Sequence, residues 1–200
     1  VRYSTRELVS LAVFGTLWGA IEIVPGSVLH AMGLPLSGVV MAASGLFVAL
    51  VGRRFVPRAG SVLFVGALAA LLKLFSVGSI VLGPMIGIFA EAGMAELGLL
   101  ATGGGSALSF AVAGALGVCW TAAHPFLTGV VLFGRDFMAI WSGLLDAASR
   151  SMGMDAGQAV VWVVAVWVGA RVVAGAAAGW VAWGVGRVLL ERVYGTQSSG

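Results

Sequence analysis

Glu22, Lys73, Glu91 and His124 stand in four separate apolar stretches of this 200-residue chain. A charge inside a bilayer costs at least a few kcal/mol, so each is expected to be buried between helices and paired. Gathered in one layer, two carboxylates, an ammonium and a titratable imidazole suit a ligand with a cationic or hydrogen-bonding ring better than a polyanion. The same residues also allow something plainer, a structural pair between Lys73 and one carboxylate.

The passage GPMIGIFAEAGMAELGL, 83–99, carries two glutamates five positions apart. Five residues of helix turn through roughly 140° beyond one full circle, so Glu91 and Glu96 cannot face one pocket centre. Glu91 shares a stripe with the small residues Gly87, Ala95 and Gly98, which points it at protein rather than lipid. Glu96 lies one to two turns deeper. Counted from the helix ends it matches the depth of Arg171, and a structural Glu96–Arg171 pair is expected.

The elements that hold these groups follow from composition. Apolar residues make up 60% of the chain and charged residues 10%, with mean hydropathy +1.07. A soluble domain carries about 25% charged residues, so this chain is read as a single integral membrane domain, 1–200, embedded in a lipid bilayer. Apolar windows predict an all-α bundle of six transmembrane helices at about 7–25, 36–52, 60–80, 83–101, 106–132 and 158–186. Pro25-Gly26, Gly33-Leu34-Pro35, Val56-Pro57, Gly83-Pro84 and Gly103-Gly104-Gly105 punctuate them. The runs do not alternate as barrel strands would. Residues 133–157, with FMAIWSGLLDAASRSMG at their centre, are read as an amphipathic helix at the outer interface, between helices five and six.

Arginines then set the orientation. Arg2 and Arg6, Arg53, Arg54 and Arg58, and Arg187 and Arg192 all fall on one side of a six-span map, whereas loops 26–35 and 76–82 carry no Lys or Arg. Both termini are therefore expected to be cytoplasmic. Arg2 and Arg6 precede an apolar run interrupted by Glu22, without a convincing cleavage site, so the first segment is expected to remain a span. On this map Glu22, Lys73, Glu91 and His124 share the outer half of the membrane.

Other chemistry finds little footing. The pI near 9.8 does not imply nucleic acid, because the basic residues sit at span ends. H-E-x-x-H, G-x-S-x-G and the phosphate-binding G-x-x-x-x-G-K-[ST] are all absent from the sequence, and no enzymatic activity is expected. His30 and His124, even with Met32, lack tight metal-ligand spacing, so neither metal nor other cofactor is expected. Cys119 reads as a small core residue. Trp162 and Trp180 lie about 27 Å apart along helix six, close to a hydrocarbon thickness, and with Trp167 and Trp183 read as aromatic belts. The stretch AGAAAGW, 174–180, between them offers a surface for close helix contact, as do Ala12, Gly15, Thr16 and Gly19 on helix one.

Taken together, these features resemble the substrate-binding S component of an energy-coupling factor (ECF) transporter, a family of prokaryotic micronutrient importers. RELVSLAVFGTLWGA matches that family's basic lead into a small-residue helix one. IFAEAGMAELGL, 88–99, is similar to S components for thiamine precursors such as hydroxymethylpyrimidine. The resemblance implies a vitamin-like small molecule bound near the outer face of a prokaryotic plasma membrane, with ATP hydrolysed by separate ATPase subunits. It also implies a membrane-embedded coupling protein docking on helix one. The family's Ala-x-x-x-Ala signature has its nearest matches in Ala12-x-x-x-Thr16 and Gly15-x-x-x-Gly19. The loop PGSVLHAMGLP, 25–35, would close as a lid and bring His30 to the ligand. A self-contained channel or secondary carrier, and a structural or assembly protein, are the rival readings of the same charges.

Overall fold

The computed structural model describes residues 3–31, 37–75, 82–133, 141–143, 145, 146, 149, 150, 153 and 155–195. Among these every regular element is helical: α1 (Thr5–Ala31), α2 (Ser37–Phe55), α3 (Ser61–Leu72), α4 (Leu82–Thr102), α5 (Ala107–Phe133) and α6 (Ala156–Gly195). A 3-10 turn, Lys73–Phe75, continues α3. Five helices are long and apolar enough to cross a membrane, and the sixth apolar segment, Ser61–Phe75, is shorter. The all-α class holds, and the helices are those of a multi-pass membrane protein. Residues 141–143, 145, 146, 149 and 150 are helical; the remainder of the expected interfacial helix lies outside the described residues.

Packing closes a ring in the order α1, α3, α4, α5, α6, α2, with α2 pressed inward against α3, α4 and α5 as well. Accordingly α2 is the most buried span. Small residues set the spacing. Gly114 and Gly175 meet backbone to backbone where α5 crosses α6, and Gly179 rests on the Phe110 carbonyl, so no side chain fits between them. The AGAAAGW surface is thus an internal contact.

One end of the bundle is tied by polar groups. Ser4 and Glu7 form a capping box, Ser4 N–H donating to Glu7 Oε2 at 2.7 Å and Glu7 N–H to Ser4 Oγ at 3.3 Å. Arg58 pairs with Glu7 at 2.7 Å, and the Tyr3 hydroxyl donates to the Ala59 carbonyl at 2.8 Å. Of the arginines expected on one side, Arg53, Arg54 and Arg58 stand at this end, Arg53 beside Gly104 and Arg54 against Gly186; Arg2 lies outside the described residues. Gly103 and Gly104, at φ 79° and 63°, make the tight turn between α4 and α5.

Four expectations change. The anticipated Glu96–Arg171 pair is not formed. Glu96 instead caps the start of α3: its carboxylate accepts from Gly60 N–H at 2.8 Å and Val62 N–H at 2.9 Å, and lies 3.5 Å from Arg53 Nη1. These are the orphan donors of a helix N-terminus, which a carboxylate satisfies well. Arg171 turns to α5, donating to Thr121 Oγ1 at 3.0 Å and back to the Trp167 carbonyl at 2.6 Å, its guanidinium 3.9 Å over the Trp167 ring.

Helix one also runs on through Pro25 to Ala31 instead of stopping there, and α6 reaches Gly195 past the expected end at 186. Finally, the small face of α1 is largely internal. Gly15 packs on Leu68 and Gly19 on Leu72 of α3, while Thr16 is exposed and donates its hydroxyl to the Ala12 carbonyl.

Candidate functional site

Trp18 is fully buried and forms the floor of the site. Its indole occupies a notch left by Gly45 of α2, where any Cβ would collide with it, and its far edge lies against Gly66 of α3, whose own Cβ position is taken by Ala92. The indole N–H lies near the Glu22 carboxyl but outside hydrogen-bonding geometry, so Nε1 has no partner among the described residues. One helical turn on, on the same face, comes Glu22.

Glu22 is 8% exposed. Lys73, at the 3-10 end of α3, donates to the Glu22 main-chain carbonyl at 2.7 Å and stands 3.5 Å from Glu22 Oε2. Pro25 lies inside α1 and brings no N–H, so the Ile21 carbonyl loses its helical donor. Lys73 contacts the next carbonyl along, that of Glu22, as well as the Glu22 carboxylate.

Glu91, on α4, is likewise 8% exposed. Its Oε2 is buried without a hydrogen-bond partner among the described residues. The Glu22 carboxylate lies close enough to act on it electrostatically, and Lys73 is already engaged with Glu22. Gly117 of α5 allows the close approach of α5 to the Glu91 carbonyl, 2.9 Å from where its Cβ would stand. As expected, Glu91 faces protein.

His124 belongs to the same region but to different contacts. Its Nε2 is 2.8 Å from the Gly83 carbonyl, and its ring lies over Gly87, where a Cβ would approach Nε2 to 3.0 Å. Gly87 is one turn from Glu91 on the same face of α4. Pro84 sits in the first turn of α4, where a missing N–H does no harm. His30 falls in the last turn of α1; its side chain lies outside what the structure describes.

The structure therefore joins Glu22, Lys73 and Glu91 above Trp18 and holds His124 one turn along α4. Trp18 and its glycine notches escaped the sequence reading. The only trace they leave is an isolated glycine on each of two other helices, and linear spacing does not say which aromatic side chain fills it. Met41 is a second such neighbour, its Cε 3.1 Å from the Cβ position of Gly26 beside Glu22.

Chemically, one carboxylate is neutralised and the second is open. Ionising a buried carboxyl without a counter-charge costs several kcal/mol, so Glu91 favours any solute that brings a cation or hydrogen-bonding groups. No group of three or more His, Cys, Asp or Glu among the described residues is placed to hold a metal ion. No family model, curated protein or solved structure matches the chain.

Proposed function

We propose that this chain is the membrane-embedded binding subunit of an importer of the ECF type, capturing a micronutrient-sized solute for transport powered by separate ATPase subunits. The observation that carries it is Glu91, a buried carboxylate with an unpartnered oxygen beside the closed Glu22–Lys73 pair. A protein using these charges only for cohesion would be expected to close both. The solute takes its place against Glu91 and Glu22, with His124 at the rim and His30 in the last turn of α1. In this proposal Ser61–Phe75 completes six spans, residues 133–157 rest on the outer interface, and both termini are cytoplasmic in a prokaryotic plasma membrane.

The coupling protein docks on α1. Because Gly15 and Gly19 face α3, its footing is the exposed face that includes Val9, Val13, Thr16 and Leu17. The test is mass spectrometry of small molecules released from the purified chain, followed by titration of the identified compound into wild type and Glu91→Gln. Tight binding without any partner, lost in the variant, supports the proposal. Absence of any bound or bindable solute removes it.

A self-contained carrier is the second reading. It draws on Pro25, which removes one backbone donor from the middle of an apolar helix next to the buried Glu22. Solute flux into liposomes containing this chain alone selects it.

A further inference from the structure

The face of α6 that packs into the bundle carries a charge. Gly175, Gly179, Ala182 and Gly186 form its buried stripe at three- and four-residue steps, and Arg171 extends that stripe by one turn. Arg171 is 4% exposed. The contacts it makes among the described residues are to neutral groups. Its Nε donates to Thr121 Oγ1 at 3.0 Å and its Nη1 to the Trp167 carbonyl at 2.6 Å, while the guanidinium lies 3.9 Å over the Trp167 ring. Thr121 Oγ1 donates in turn to the Val118 carbonyl at 2.7 Å, so toward Arg171 it acts as an acceptor. The Cys119 thiol is near enough to act on Arg171 electrostatically. No carboxylate among the described residues pairs with it.

Helix α5 relates this cation to Glu91. Gly117 stands against the Glu91 carbonyl, and Thr121, one turn further along the same side of α5, meets Arg171. The two levels therefore differ by about 6 Å of helix. Across the bundle, α4 and α6 each pack on α5, at the usual interaxial distance of about 8–10 Å. Glu91 and Arg171 thus share a layer but form no ion pair with each other. Glu22 and Lys73 neutralise one another between them. What is left is one buried charge of each sign, and a buried ion without a counter-ion costs several kcal/mol.

We propose that the solute is a zwitterion, an inference that rests on the binding-subunit reading above and names its substrate class. The cationic end lies against the open oxygen of Glu91 and a carboxylate lies on Arg171, spanning on the order of 10 Å between helices. A simple cation would compensate Glu91 and leave Arg171 alone, and a simple anion would do the reverse. A molecule of zero net charge with both groups compensates the whole layer. The planar guanidinium keeps N–H donors beyond the two in use, and its fork matches a carboxylate.

Three probes of one chain length test this by calorimetric titration into the purified full chain: 6-aminohexanoate, its methyl ester and hexanoate. The zwitterion is expected to bind about tenfold or more tighter than either singly charged probe. Arg171→Gln is expected to bring 6-aminohexanoate down to the level of the ester and to leave the ester unchanged. Arg171→Lys, the companion variant should the glutamine fold poorly, keeps part of the preference for acid over ester. Equal binding of acid and ester by wild type overturns the inference. So does an Arg171→Gln variant that weakens both alike, because a purely structural arginine does not distinguish them. A solute released from the chain that binds through Glu91 but carries no anionic group overturns this inference and leaves the binding-subunit reading standing. If no solute is released and none of the probes binds, both fall.

Discussion

The ammonium of Lys73 is nearer the main-chain carbonyl of Glu22, at 2.7 Å, than its carboxylate, at 3.5 Å. Lys73 therefore has two tasks: it donates to the backbone of α1 and it compensates a charge. The two are separable by substitution.

Lys73→Met removes both contacts and leaves Glu22 buried without a cation. Breaking a buried pair from one side costs about 3–5 kcal/mol, so a large fall in thermal stability of the detergent-solubilised protein is expected. Lys73→Gln combined with Glu22→Gln keeps a donor for the carbonyl and removes both charges. This double variant is expected to recover most of the loss. Recovery no better than in Lys73→Met would show that charge neutralisation alone was not the difficulty.

Glu91→Gln should separate stability from function. The amide keeps the shape of the side chain but removes the carboxylate that has no counter-charge. Expected are unfolding a few degrees higher, on the order of 2–4 °C per kcal/mol gained, and loss of the bound solute. A variant that unfolds earlier than wild type would mean that the charge is compensated after all.

Glu96→Ala strips the start of α3 of its acceptor and leaves Arg53, itself buried, without its carboxylate. Destabilisation of about 3 kcal/mol or more is expected, judged by yield and thermal unfolding. Exchanging Glu96 and Arg171 should rescue nothing, since the two never meet. Rescue by that exchange would restore the pairing expected from depth.

Gly45→Ala places a methyl group on the Trp18 indole. Neither partner has room to yield, because Trp18 is also wedged against Gly66 and is fully buried. The expected outcome is loss of folded protein in size-exclusion chromatography. Gly45→Ala with Trp18→Phe, which relieves the overlap, should restore part of it.

Depth was legible in the sequence and rotation was not. Counting residues from the helix ends placed Glu22, Lys73 and Glu91 in one layer, and the structure brings them together, because rise per residue is nearly constant along a helix. The direction of a side chain around its axis depends on which neighbour fills which notch. Gly15 and Gly19 read equally well as a docking face and as a seat for α3, and Leu68 and Leu72 take it. Glu91 was an exception because the small residues Gly87, Ala95 and Gly98 marked its stripe. Depth itself failed for Arg171. Its level was counted as though helix six began at the membrane surface, whereas α6 is too long for that.

That length has a consequence for any experiment in a bilayer. The 40 residues of α6 form a rod of about 60 Å at 1.5 Å per residue, against a hydrocarbon slab of about 30 Å. Even at about 40°, the upper end of observed helix tilts, roughly 20 Å must stand outside the slab. Leaning that far would also set its two tips far apart laterally. The turn bearing Arg187, Glu191 and Arg192 is the part with affinity for the aqueous phase, and trypsin added on that side should clip there while the bundle stays whole.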